Sequence, residues 1–179
     1  MPEKPKIALY WCSGCGGCEE SVIDLSEDLL ELQRRADIVF WPVALDSRLK
    51  DLEALGNGEI DLTLINGAIR LHEQAHMARL LRRKSKLVVA HGTCAHLGGI
   101  VGLGNFHSVP EILARSFREV PTVKNPGGIL PGGFKEDSVR GPKLSGLTDK
   151  VMALDQVIDV DYYIPGCPPP PELVGEAVW

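Results

Sequence analysis

No stretch of this 179-residue chain is apolar for long enough to cross a bilayer, which takes about 20 residues. The apolar run near the start, Ile7 to Trp11, is also too brief for the core of a signal peptide, so a cytoplasmic protein without a membrane span is expected. There is no surplus of positive charge: 19 Lys and Arg face 24 Asp and Glu, for a formal net charge of −5. That balance argues against a nucleic-acid partner. The chain has no Gly-x-Ser-x-Gly elbow and no P-loop lysine, and Gly102-Leu103-Gly104 lacks the rest of a dinucleotide fingerprint. Serine hydrolysis and nucleotide binding are therefore set aside. Nothing repeats internally.

What is present is ordinary for a globular protein, with 44% hydrophobic and 24% charged residues, and one domain over residues 1–179 is expected. A β-rich run from Lys6 to Trp11 leads through a glycine loop to Glu19–Arg35, where apolar residues at 22, 25, 29 and 32 predict one helix. Further strands are predicted over Asp37–Leu45, Ile60–Ile65, Leu87–Ala90 and Val157–Ile164. Helices are predicted around Leu49/Leu52/Leu55, over Leu71–Lys84, and from Val109 to Val120 behind a Ser108/Glu111 capping box. Between Pro121 and Gly146, four prolines and six glycines in 26 residues predict an irregular segment. Its Ile129, Leu130 and Phe134 would suit burial against a partner. Strands alternating with helices define an α/β class, doubly wound around a mostly parallel sheet.

In such a sheet, ligands gather at the carboxyl ends of the strands. All five cysteines fall in those loops: Cys12, Cys15 and Cys18 after the first strand, Cys94 after the fourth and Cys167 after the fifth. Without an export signal they read as thiols rather than disulfides. Four thiolates suit either structural zinc or an iron–sulfur cluster. Glycines beside nearly every cysteine, and a first pair at the start of a helix, favour the cluster. The ferredoxin spacing fails, because its fourth cysteine would fall on Val22. One thiol is surplus to a four-ligand site. Cys12, nearest the strand, is the expected spare, which leaves Cys15-Gly16-Gly17-Cys18 as the loop pair.

Three segments in order carry a family resemblance. They are Trp11-Cys12-Ser13-Gly14-Cys15-Gly16-Gly17-Cys18-Glu19-Glu20, then Gly92-Thr93-Cys94-Ala95 with Gly98-Gly99-Ile100, and Ile164-Pro165-Gly166-Cys167-Pro168-Pro169. Together they resemble the small electron-transfer subunit of nickel–iron hydrogenases, most closely the cytoplasmic methyl-viologen-reducing and deazaflavin-linked branch. The same superfamily includes the quinone-proximal subunit of NADH:ubiquinone oxidoreductase, but those relatives carry adjacent cysteines where this chain has Cys-Gly-Gly-Cys. The resemblance implies a flavodoxin-like domain with one 4Fe-4S cluster on Cys15, Cys18, Cys94 and Cys167. It also implies a nickel–iron large subunit as partner, and a further iron–sulfur or flavin subunit as electron carrier. The chain would then be one subunit of an oxidoreductase, not catalytic alone. Many family members continue into a region with further clusters. This sequence stops at Trp179, so either electrons leave through another subunit or the chain continues.

Other polar residues have plainer readings. Glu19 matches a family carboxylate near the subunit interface, and equally suits the first turn of a helix. His91 and His96 bracket Cys94 and could stand behind the ligands, as could Cys12. His72 and His76 have a chelating spacing but no third ligand, so they read as solvated helix polarity.

Overall fold

A computed structural model describes residues 4–131 and 145–178. The expectations for Phe134 and for most of the second half of the Pro/Gly-rich segment lie outside the described residues, as does Trp179.

Seven strands and seven α-helices are described. β1 (Lys6–Trp11) is followed by α1 (Gly17–Ile23), α2 (Glu27–Arg35), β2 (Asp37–Phe40) and α3 (Leu49–Ala54). Next come β3 (Ile60–Asn66), β4 (Ile69–Leu71), α4 (His72–Lys84), β5 (Ser85–His91) and α5 (Thr93–Leu97). α6 (Val109–Ala114), β6 (Leu147–Met152), β7 (Tyr162–Ile164) and α7 (Pro171–Val178) complete the order. The main sheet has the order β2-β1-β3-β5-β7, and all its pairings are parallel. Counting only its own strands, that is 2-1-3-4-5, the flavodoxin-like order. The doubly wound α/β expectation is thus met.

Strand alternation splits the core into two layers. Ala8, Ile65, Val88 and Ala90 face one side, where they meet Leu52 of α3 and Leu81 of α4. Ile7, Leu9, Leu64, Val89 and Ile164 face the other, under Val22 of α1, Leu32 of α2 and Val174 of α7. Both faces are covered, as a parallel sheet requires.

Several elements differ from expectation. The predicted helix over Glu19–Arg35 is two helices, broken at Ser26, which adopts φ 54°. The apolar stripe survives the break, since Val22, Leu25, Leu29 and Leu32 all pack on the same layer. Glu27 and Asp28 start α2 afresh with the acidic first turn that a helix dipole favours. β2 stops at Phe40 instead of Leu45, because Pro42 cannot donate to a ladder and Val43 and Leu45 are exposed. The last strand of the sheet is only Tyr162–Ile164. The helix predicted over Val109–Val120 ends its α-helical part at Ala114 and continues as a π-helical turn, Arg115–Glu119. Its capping box is present, with Ser108 N–H donating to Glu111 Oε2 at 2.7 Å. A second, antiparallel ladder joins β4 to β6 and has no counterpart in the expectations.

Candidate metal centre

The loop after β1 is tied down before its cysteines begin. Cys12 N–H donates to Asn66 O at 2.8 Å, and Ser13 and Ala68 exchange two backbone hydrogen bonds at 2.9 and 2.7 Å. This close crossing needs Gly67, whose φ is +82° and whose added Cβ would stand 2.8 Å from the Cys12 carbonyl carbon. Ser13 Oγ donates to Gln74 Oε1 at 3.0 Å, linking the loop to α4. Beyond it, Gly16 at φ +92° lets the chain turn into α1 beneath the indole of Trp11. The Gly17 N–H points at Cys15 Sγ, 3.4 Å away.

The loops after β5 and β7 are stitched to each other. Gly92 N–H donates to Ile164 O and Thr93 N–H to Gly166 O, both at 2.8 Å. Thr93 Oγ1 adds a second bond to Gly166 O at 2.8 Å. Gly166, at φ +143°, would place a Cβ 2.3 Å from Pro169 Cα, so only glycine fits. Cys94 and Cys167 are therefore held by one shared network.

These three loops enclose a recess of about 310 Å³, counting its open mouth, lined by Cys15, Cys18, Cys94 and Cys167 together with Asn66 and Thr93. Cys15 and Cys167 are exposed, Cys18 is half-buried and Cys94 is buried. Burial first, and then the neighbouring sulfurs of Cys94, Cys15 and Cys167 and the carboxylate of Glu19, push the Cys18 thiol up to about 12. Among the described residues no charged side chain lines the recess. The donor set is thus all soft sulfur, the chemistry that selects zinc, copper(I) or iron–sulfur groups over hard cations. Among the described residues, no three Cys, His, Asp or Glu side chains are drawn together tightly enough to hold a single metal ion.

The remaining candidates lie elsewhere. Cys12 is buried in the layer under α4, outside the recess lining, and burial pushes its thiol up to about 12. Glu19 is buried: its carboxylate accepts from Trp41 Nε1 and Asn66 Nδ2. His96 packs its ring against Tyr163, with centroids 4.5 Å apart. His91 is fully buried at the end of β5. His72 and His76 are exposed on α4. Asn66 was not anticipated at the recess. The Asn66-Gly67 pair marks a turn in sequence, but nothing in it signals a ligand loop.

Topology and thiols together define a flavodoxin-like α/β domain with a sulfur-lined site at the carboxyl edge of its sheet. The chain belongs to the family described as NADH ubiquinone oxidoreductase, 20 Kd subunit, whose model matches residues 15–179. It is 40% identical over 174 residues to the iron-sulfur subunit of an F420-non-reducing hydrogenase from Archaeoglobus profundus, covering 97% of this chain and 54% of that protein. The chain thus spans about half the length of this curated relative. Among solved structures, an NAD+-reducing [NiFe]-hydrogenase in the H2-reduced state superposes with a TM-score of 0.81 at 30% identity, covering 96% of this chain and 87% of that one. The [NiFeSe] hydrogenase of Desulfovibrio vulgaris Hildenborough shares the fold, with a TM-score of 0.61 at 17% identity over 99% of this chain and 59% of that one.

Proposed function

We propose that this chain is the electron-relay subunit of a nickel–iron hydrogenase-type oxidoreductase, holding one 4Fe-4S cluster on Cys15, Cys18, Cys94 and Cys167. The observation that carries the reading is the convergence of these four thiols, from loops nearly the whole chain apart, on one recess without any other ionisable lining. When bound, such a cluster supplies reversible one-electron transfer. The residues around it orient and shield it. Gly17 N–H supplies a donor already aimed at a ligand sulfur, Gly92 and Gly99 leave room for the sulfurs of Cys18 and Cys94, and the apolar layers beneath keep water from the buried side.

A catalytic large subunit is the partner on one side and a further iron–sulfur or flavin subunit on the other, in keeping with the hydrogenase relatives. The stretch after Cys94 suits such docking: Leu97, Ile100, Leu103 and Phe106 are each more than half exposed. No helix among the described residues is long and apolar enough to cross a membrane, and a cytoplasmic setting fits the relay role. Anaerobic purification followed by iron and acid-labile sulfide assay tests the reading. About four irons and four sulfides per chain are expected. One zinc without sulfide overturns it.

A further inference from the structure

His91 is wholly inaccessible, at 0% exposure, yet neither its Nδ1 nor its Nε2 has a hydrogen-bond partner. A neutral imidazole always carries one donor and one acceptor, and stranding such groups in a folded interior is unfavourable. A valine here would avoid that cost, as Val89 does two residues earlier on the same face of the sheet.

The surroundings say where the free donor stands. Val88 and Ala90 belong to the layer under α4 and Val89 to the opposite layer, so alternation puts His91 on the side covered by α1 and α7. In register it lies between Asn66 of β3 and Ile164 of β7, and Trp11 continues the same row beyond Asn66. Asn66 lines the thiol recess. Gly92, the residue after His91, lies under the Cys18 sulfur: a Cβ there would be 2.3 Å from Sγ. His91 therefore belongs to the end row of the sheet that carries Asn66, one residue before the Gly92 beneath the Cys18 sulfur, and is buried behind the residues that line the recess. On this face the carboxylate of Glu19 is engaged by Trp41 and Asn66, and Ile164 and Val174 are apolar. His96 has a ring partner in Tyr163. Burial keeps the His91 ring neutral, its pKa lowered to about 4, so it retains a single N–H at neutral pH.

We propose that His91 donates its ring N–H to a sulfur of the iron–sulfur cluster held in the recess, favouring the reduced form of that cluster. The inference rests on the cluster assignment made above. A donor to sulfur draws off the negative charge that reduction adds, so it stabilises the reduced state more than the oxidised one.

The test uses the full chain, purified anaerobically with nitrogen-15-labelled histidine, reduced with dithionite and examined by pulsed EPR. A histidine nitrogen coupling to the cluster spin is expected, retained in His96→Gln and lost in His91→Phe. In a redox titration, His91→Phe should lower the equilibrium constant for reduction roughly tenfold, about 59 mV for one electron. His91→Gln, which keeps an N–H, should recover part of that shift. A wild-type chain that contains the cluster but shows no histidine coupling overturns this role for His91 alone, and needs no variant to fold. A wild-type chain without iron and sulfide overturns the cluster assignment and this role with it.

Discussion

The sulfur of Cys18 lies directly over the α-carbon of Gly92: a methyl group added at Gly92 would stand 2.3 Å from Sγ. Gly92 also holds φ 84° and ψ 164°, a conformation open essentially to glycine alone. Gly92→Ala therefore combines backbone strain of about 1–3 kcal/mol with displacement of the Cys18 sulfur. The expected outcome is a chain that folds less stably and retains less than half the iron of the wild type, read by iron assay and visible absorbance. Gly58→Ala is the control. Its φ is +67° and nothing stands within 4 Å of the added Cβ, so it should be destabilised by about 1–2 kcal/mol without losing iron.

The cysteines divide into two populations by position. Cys15, Cys18, Cys94 and Cys167 line the recess, and Cys12 packs beneath it with Ala8 and Phe40. Replacing any of the four by serine should abolish the cluster spectrum or convert it. Cys12→Ser should leave the spectrum intact and cost about 1–3 kcal/mol for an unpaired hydroxyl in an apolar layer. Alkylation of the metal-free chain gives a second check: exposed Cys15 and Cys167 should react first, and Cys12 only after unfolding. A bleached Cys12→Ser protein would show that the first-loop register is misassigned.

The parts of the site that sequence reveals are those where one residue type carries two messages. Each recess cysteine follows an apolar run, and all but Cys94 sit beside glycine, so the same residues mark a strand end and a soft donor. What stayed hidden depends on contacts that leave no local pattern. The stripe of Val22, Leu25, Leu29 and Leu32 runs across the break at Ser26 without losing phase, so periodicity could not show two helices. The ladder between β4 and β6 pairs Ile69 with Met152. A three-residue strand abutting α4 has too few alternations to register. Asn66 and Gly67 bear on the site only because the β3–β4 turn passes against Ser13.

Acid should weaken the fold through His91. Its folded-state pKa is lowered by burial to about 4, against 6.5 for a free imidazole. Above about pH 6.5 neither the folded nor the unfolded state is charged there, and the residue adds no pH dependence. Between about 6.5 and 4 the unfolded chain takes up a proton that the folded chain refuses, so stability falls, by roughly 3 kcal/mol in all at about 1.4 kcal/mol per unit. Below about pH 4 both states are protonated and this slope ends. Denaturant titrations at stepwise pH should show it in the wild type and not in His91→Gln. Asp61 acts in a lower window. Hydrogen bonds from Lys86 and from the Lys6 N–H hold its carboxyl below the usual range, so its contribution is present above about pH 4 and is lost only as pH falls through the lowered value.

Gln74 is the joint between the first cysteine loop and the helix behind it. Its Oε1 accepts from Ser13 Oγ, from Arg70 N–H and from Leu71 N–H, each at 3.0 Å, and the residue is buried. Gln74→Leu keeps the bulk and removes the acceptor, stranding three donors at once. A loss of about 1–3 kcal/mol is expected for each donor that water cannot reach. Gln74→Glu restores the acceptor and should recover most of the lost stability. Because Ser13 stands two residues before Cys15, the leucine variant should also lose cluster faster than wild type on exposure to a chelator, and the glutamate variant should not. Loss no faster than wild type in the leucine variant would show that the loop is held by its backbone bonds to Asn66 and Ala68 instead.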